Sequence, residues 1–110
     1  MKIITQLTER EGWHLRQGFP VQVGVKRGDS PFSAGHRHRT MTEYFLLLRG
    51  ELRLRVEALE FEVKPGDLVV VEPGEGHAVT YASPDALLLL LMPPPVPGDK
   101  LELDETERQK

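Results

Sequence analysis

Ten glycines and nine prolines break up a chain of only 110 residues, and they do so at short intervals. Neither residue suits a helix interior. Proline lacks the N–H and clashes with the preceding turn, and glycine gives up the most backbone entropy on ordering. Between the breaks lie short runs of β-forming residues. Residues 51–57 alternate cleanly, with Leu52, Leu54 and Val56 on one face and Arg53, Arg55 and Glu57 on the other. Residues 21–26 alternate apolar with small or polar side chains, and 42–48, 58–63, 77–82 and 86–92 read as further strands. Residues 68–71, all β-formers, suit a strand buried on both faces. Ile3, Ile4 and Leu7 suggest a short opening strand, followed by a turn over residues 8–12. About eight strands, with turn residues every ~8–12 positions, predict an all-β sandwich or barrel in a single domain.

The ends differ from this body. Residues 1–19 form an N-terminal segment of mixed character, a possible strand at a dimer interface; 20–92 form the barrel. Residues 93–110 begin with Pro93, Pro94, Pro95 and Pro97 and continue as a charged tail, with at most a helical turn or two around 102–108. Seventeen acidic against fourteen basic residues leave a net charge of −3, which argues against nucleic acid as a partner. The absence of cysteine excludes disulfides, thiolate metal sites and a cysteine nucleophile. No apolar run approaches the roughly 18–20 residues of a membrane span, and the N-terminus lacks the apolar core of a signal peptide, so a cytoplasmic, membrane-free protein is expected.

Three of the four histidines occupy two informative places. His36 and His38 are one residue apart, so on an extended strand they share a face. Glu43 follows five residues later, and His77 comes just after the turn at Pro73 and Gly74. Brought together, three imidazoles and one carboxylate suit a borderline divalent ion such as Fe(II), Mn(II), Ni(II), Co(II), Cu(II) or Zn(II). Four such ligands leave one or two coordination positions open. The plainer alternative makes His36 and His38 solvated loop histidines and Glu43 an edge charge. Against it, a carboxylate at the head of an apolar strand is costly to bury without a counter-charge. His14, beside Trp13, reads as a surface or interface histidine.

His36-x-His38-x4-Glu43-x6-Gly50 resembles the first motif of the cupin family, and Gly66-Asp67-x4-Glu72-Pro73-Gly74-x2-His77 resembles its second. Fifteen residues, 51–65, separate the two, as in compact single-domain bacterial cupins. The chain departs from the family pattern at Ser30, Glu72 and Tyr81, none of which is a ligand position. The resemblance implies a double-stranded β-helix, or jelly-roll barrel, with His36, His38, Glu43 and His77 holding a divalent transition metal in its cavity.

Strand alternation then carries the reading outward. Phe45 and Leu47 fall on the face of Glu43, and Val79 and Tyr81 on the face of His77, so these four are the expected substrate-binding residues. The family hosts several activities. The expected function is metal-dependent chemistry on a small organic molecule, as in dioxygenase-type relatives, or else metal-dependent small-molecule binding or sensing without turnover; a metal-free structural barrel is the third alternative. The five consecutive leucines, 87–91, make both faces of the last strand apolar. With Leu46 and Leu48 they predict a homodimer formed sheet to sheet, or cover from the N-terminal segment.

Overall fold

A computed structural model of the protein describes residues 1–103. After a 3-10 turn at Leu7–Glu9, the described residues run through ten strands: β1 (Gly12–His14), β2 (Gln22–Arg27), β3 (His36–His38), β4 (Glu43–Arg49), β5 (Leu52–Val56), β6 (Leu59–Val63), β7 (Leu68–Val71), β8 (His77–Ala82), β9 (Leu87–Met92) and β10 (Lys100–Glu102). They form two five-stranded antiparallel sheets, ordered β1-β2-β9-β4-β7 and β10-β3-β8-β5-β6. The chain passes repeatedly from one sheet to the other, which is the jelly-roll form of a double-stranded β-helix.

The core lies between the sheets. Phe45, Leu47, Val71 and Leu88 from the first meet Leu52, Leu54 and Val63 from the second. The alternation in β5 does what the sequence predicts, burying Leu52 and Leu54 while Arg53 stays exposed. Across the β5–β6 pair, Arg53 faces Glu62 and Arg55 faces Glu60, so this sheet presents opposite charges on its outer side. Tight turns close the hairpins. Gly50 sits at φ +86 between β4 and β5, and a Cβ there would lie 2.6 Å from the Ala86 backbone. Only glycine meets both demands at this corner.

Three expectations change. The opening strand on Ile3, Ile4 and Leu7 gives way to a 3-10 turn at Leu7–Glu9, and the first strand forms at Gly12–His14, starting on the last residue of the turn expected over 8–12. β1 has no alternation of its own; pairing with β2 recruits it to the sheet edge. Residues 68–71 are not doubly buried. As β7 they form an edge strand, with Leu68 56% and Val70 47% exposed and only Val71 in the core. The supposed tail returns to the fold. β10 pairs antiparallel with β3, setting Lys100 opposite His38 and Glu102 opposite His36. Backbone pairing places a strand there although the side-chain pattern is too short and too charged to reveal it. The helical turn expected at 102–108 is replaced by β10 at Glu102, and residues 104–108 lie outside the described residues. Among the described residues no helix is long and apolar enough to cross a membrane.

Candidate metal centre

The two sheets meet at one end through four side chains. β3 supplies His36 and His38, β8 supplies His77, and β4 of the opposite sheet supplies Glu43 as its first residue. Antiparallel register sets His36 directly across from His77, with ring centroids 4.4 Å apart. The turn carrying Pro73 and Gly74 is tied back to the first motif by the Gly74 N–H, which donates to the His38 carbonyl at 2.7 Å.

All three imidazoles turn Nε2 towards one carboxylate oxygen. Glu43 Oε1 lies 3.1 Å from His38 Nε2, 3.2 Å from His77 Nε2 and 3.6 Å from His36 Nε2. One ligand atom from each of the four residues falls within 4.8 Å of every other. The spacing fits a small cation at the centre, reached by one imidazole nitrogen from each ring and one carboxylate oxygen. The donor set passes the chemical test for a borderline divalent ion: neutral nitrogen donors, one hard anionic oxygen and no competing sulfur.

Electrostatics agree with this arrangement. Glu43 is 3% exposed, and burial alone would push its carboxyl up. Donation from His36, His38 and His77 overrides burial and holds it far below the usual carboxylate range. Burial pushes His36 down. His38 moves the other way: Glu43 raises it, burial opposes, and Asp99 adds to the rise.

The far sides of the rings are held unequally. His38 Nδ1 lies 2.7 Å from Asp99 Oδ2, His77 Nδ1 lies 3.2 Å from the Glu75 carbonyl, and among the described residues His36 Nδ1 has only the Ser33 hydroxyl, at 3.4 Å. Asp99 is buried and was missed in the sequence because it sits in what reads as a tail. No local pattern marks it; its role depends on β10 pairing with β3.

The cluster opens into a cavity of about 640 Å³. Trp13, Phe32, Met41, Phe45, Val79 and Leu88 contribute its apolar wall, while Lys26 and Lys100 add positive charge. Trp13, from the N-terminal segment, packs over Gly24, where an added Cβ would come within 2.9 Å of the ring. Its role too was not legible in the sequence. Gln22 is buried in the wall; its Nε2 donates to the Pro93 carbonyl at 3.1 Å, and its Oε1 has no partner among the described residues. His14 stands apart from the cavity, against the Arg10 carbonyl at 2.7 Å.

Of the four expected substrate-binding residues, Phe45 and Val79 line the cavity and Leu47 and Tyr81 do not. Leu47 keeps the predicted face but lies too far along β4. Four residues at roughly 3.3 Å each put it about 13 Å from Glu43, and it is 0% exposed in the core. Tyr81 is turned out by a β-bulge: Leu54 pairs with Val79 and Arg53 with Tyr81, leaving Thr80 unpaired in the ladder. The extra residue reverses the alternation, so Tyr81 emerges 47% exposed and Ala82 packs on the core.

The cupin domain family profile matches residues 22–93. The chain belongs to the cupin domain family. Solved structures share this cupin's fold at low identity. A protein from Planctomyces limnophilus is 16% identical with TM-score 0.72, covering 92% of this chain and 96% of its own. An uncharacterised conserved protein with a double-stranded β-helix domain from Klebsiella pneumoniae is 16% identical with TM-score 0.69, covering 87% and 84%. KdgF from Halomonas sp. is 20% identical with TM-score 0.59, covering 71% and 72%. No curated protein matches this cupin.

Proposed function

We propose that this cupin holds a divalent transition metal through His36, His38, Glu43 and His77 and binds a small organic molecule beside it, with dioxygenase-type chemistry as the leading activity. The convergence of three imidazole nitrogens on one oxygen of buried Glu43 carries the reading. Bound there, the ion supplies a Lewis-acidic centre with one or two coordination positions open to ligands. The chain's own residues do the rest. Phe45, Val79 and Leu88 shield the site from bulk water, Lys26 and Lys100 favour an anionic ligand, and the Gln22 Oε1 waits for a hydroxyl or amino donor. A small hydroxy- or amino-carboxylate with an apolar body satisfies all three.

A second reading, metal-dependent binding or sensing without turnover, is favoured by one observation. The carboxylates lining the cavity are all engaged: Glu43 by the imidazoles, Asp99 by His38 and Thr40, and Glu11 by Ser30 and the Arg27 N–H. None stands ready as a general base. Oxygen uptake by the Fe(II)-loaded protein across a panel of small hydroxy acids tests the two. Consumption stoichiometric with ligand loss establishes the enzyme; ligand-induced thermal stabilisation without uptake establishes the binding module.

The protein is further proposed to be a cytoplasmic homodimer. In the first sheet, Val70, Tyr44, Leu91 and Val23 form one cross-strand row, and Leu68, Leu46 and Leu89 begin the next. Leu68, Val70 and Tyr44 are exposed, so the outer side of this sheet is apolar, in contrast to the charged outer side of the other. An isologous contact between two such faces buries them.

A further inference from the structure

We propose that Asp99 is the positioning residue that presents Nε2 of His38 to the metal, which makes docking of β10 a condition for a complete site. The inference rests on the metal-site reading above. Asp99 lies outside the family-matched residues 22–93, on a segment that returns from the proline-rich run.

Its hydrogen bonds leave it one way to act. Oδ1 accepts from the Thr40 N–H at 2.8 Å and from the Thr40 hydroxyl at 2.9 Å. Oδ2 faces His38 Nδ1 at 2.7 Å. A carboxylate only accepts, so the proton of this contact belongs to Nδ1, and Nε2, which donates to Glu43 Oε1 at 3.1 Å in the metal-free protein, is the nitrogen whose lone pair a metal would take. A ring protonated on Nε2 alone would set the Nδ1 lone pair against Asp99 Oδ2 at 2.7 Å. Hydrogen bonding of this kind fixes ring orientation and strengthens the imidazole as a donor. Among the described residues the other two ligands have no charged partner on Nδ1: His77 has a carbonyl, and His36 a hydroxyl that can donate or accept.

The placement of Asp99 depends on β10. The Asp99 carbonyl accepts from the Arg39 N–H at 2.9 Å, and its N–H donates to the Val96 carbonyl at 3.1 Å. Leu103 anchors the end of the strand. It is 4% exposed, and a Cβ added at Gly35 or Gly76 would come within 2.9 or 3.0 Å of its methyl groups. Two glycines on the barrel thus leave room for a leucine beyond the Pro-rich run.

The test uses the full chain and Zn(II), with the dissociation constant measured by chelator competition for wild type, Asp99→Asn and Asp99→Ala. The carboxamide of Asp99→Asn cannot satisfy both partners. With its oxygen kept on the Thr40 N–H, its amide N–H points at Nδ1 and drives the ring proton onto Nε2. Asp99→Asn is therefore expected to lose about ten- to a hundredfold in Zn(II) affinity, at least as much as Asp99→Ala, where a water can take over. A packing role predicts the reverse order. Nitrogen-15 shifts of the neutral His38 ring should report Nδ1–H in wild type and Nε2–H in Asp99→Asn. If Asp99→Asn does not fold, Leu103→Ala, which replaces none of the metal ligands, is expected to weaken Zn(II) binding several-fold. Wild-type protein that binds no Zn(II) overturns the metal reading and this inference together. Wild type that binds, with Asp99→Asn or Leu103→Ala within twofold of it, overturns this inference alone.

Discussion

At Glu43 two forces act in opposite directions. Burial disfavours its charge, and donation from three imidazoles restores it. Its charge balance therefore belongs to the cluster. Replacing Glu43 by Gln removes the only anionic donor and is expected to lower metal affinity at least ~100-fold, measured by competition titration. His77→Ala should abolish the rise in melting temperature on metal addition; a variant that still responds would show that the metal sits elsewhere. The pH dependence follows from the directions of the shifts. His38 is raised, so metal competes with a proton on it, and affinity should fall about tenfold per pH unit below its folded pKa for one displaced proton. In the metal-free protein, Glu43 and Asp99 are lowered, so their contribution is present above the unfolded carboxylate range near ~4 and is lost as pH falls through the folded values. Around neutrality His36 and His38 shift oppositely and partly cancel. Urea melts of the chelated protein should thus weaken below about pH 4 and change little between pH 6 and 8.

Among the elements, β2 and β4 to β9 were legible in the sequence, because alternation and turn residues both report on local backbone geometry. The exceptions have one cause. β1 and β10 carry little pattern of their own and become strands by pairing with β2 and β3. The Thr80 bulge is equally silent, since no residue type there demands it, yet it decides that Tyr81 leaves the cavity side. At Gly50 the demand is local and visible. Gly50→Ala must adopt φ near +86 and place a methyl against Ala86. A loss of about 2 kcal/mol or more is expected in denaturant unfolding, with metal affinity per folded molecule unchanged.

For the whole molecule, the two outer faces predict different behaviour. Leu68 and Val70 are exposed on the apolar side, away from the core. Leu68→Lys with Val70→Lys should leave the fold intact and convert a dimer to a monomer in sedimentation; a wild-type chain that sediments as a monomer would dispose of the dimer. Metal held by the proposed ligands would link the two sheets, because those residues come from both. At about a hundred times Kd, metal should add about 2.7 kcal/mol to stability, which is roughly 10–20 °C in melting temperature for a domain near this size.

Sequence alone determined the class of fold, the four candidate ligand residues and the family resemblance, because each rests on spacing along the chain. Whether those ligands would converge, which wall residues would face them, and that Asp99 would lie behind His38 were decided only in three dimensions. Those outcomes depend on register between strands distant in sequence, and a single bulge or a single added pairing changes them without leaving a mark in the local pattern.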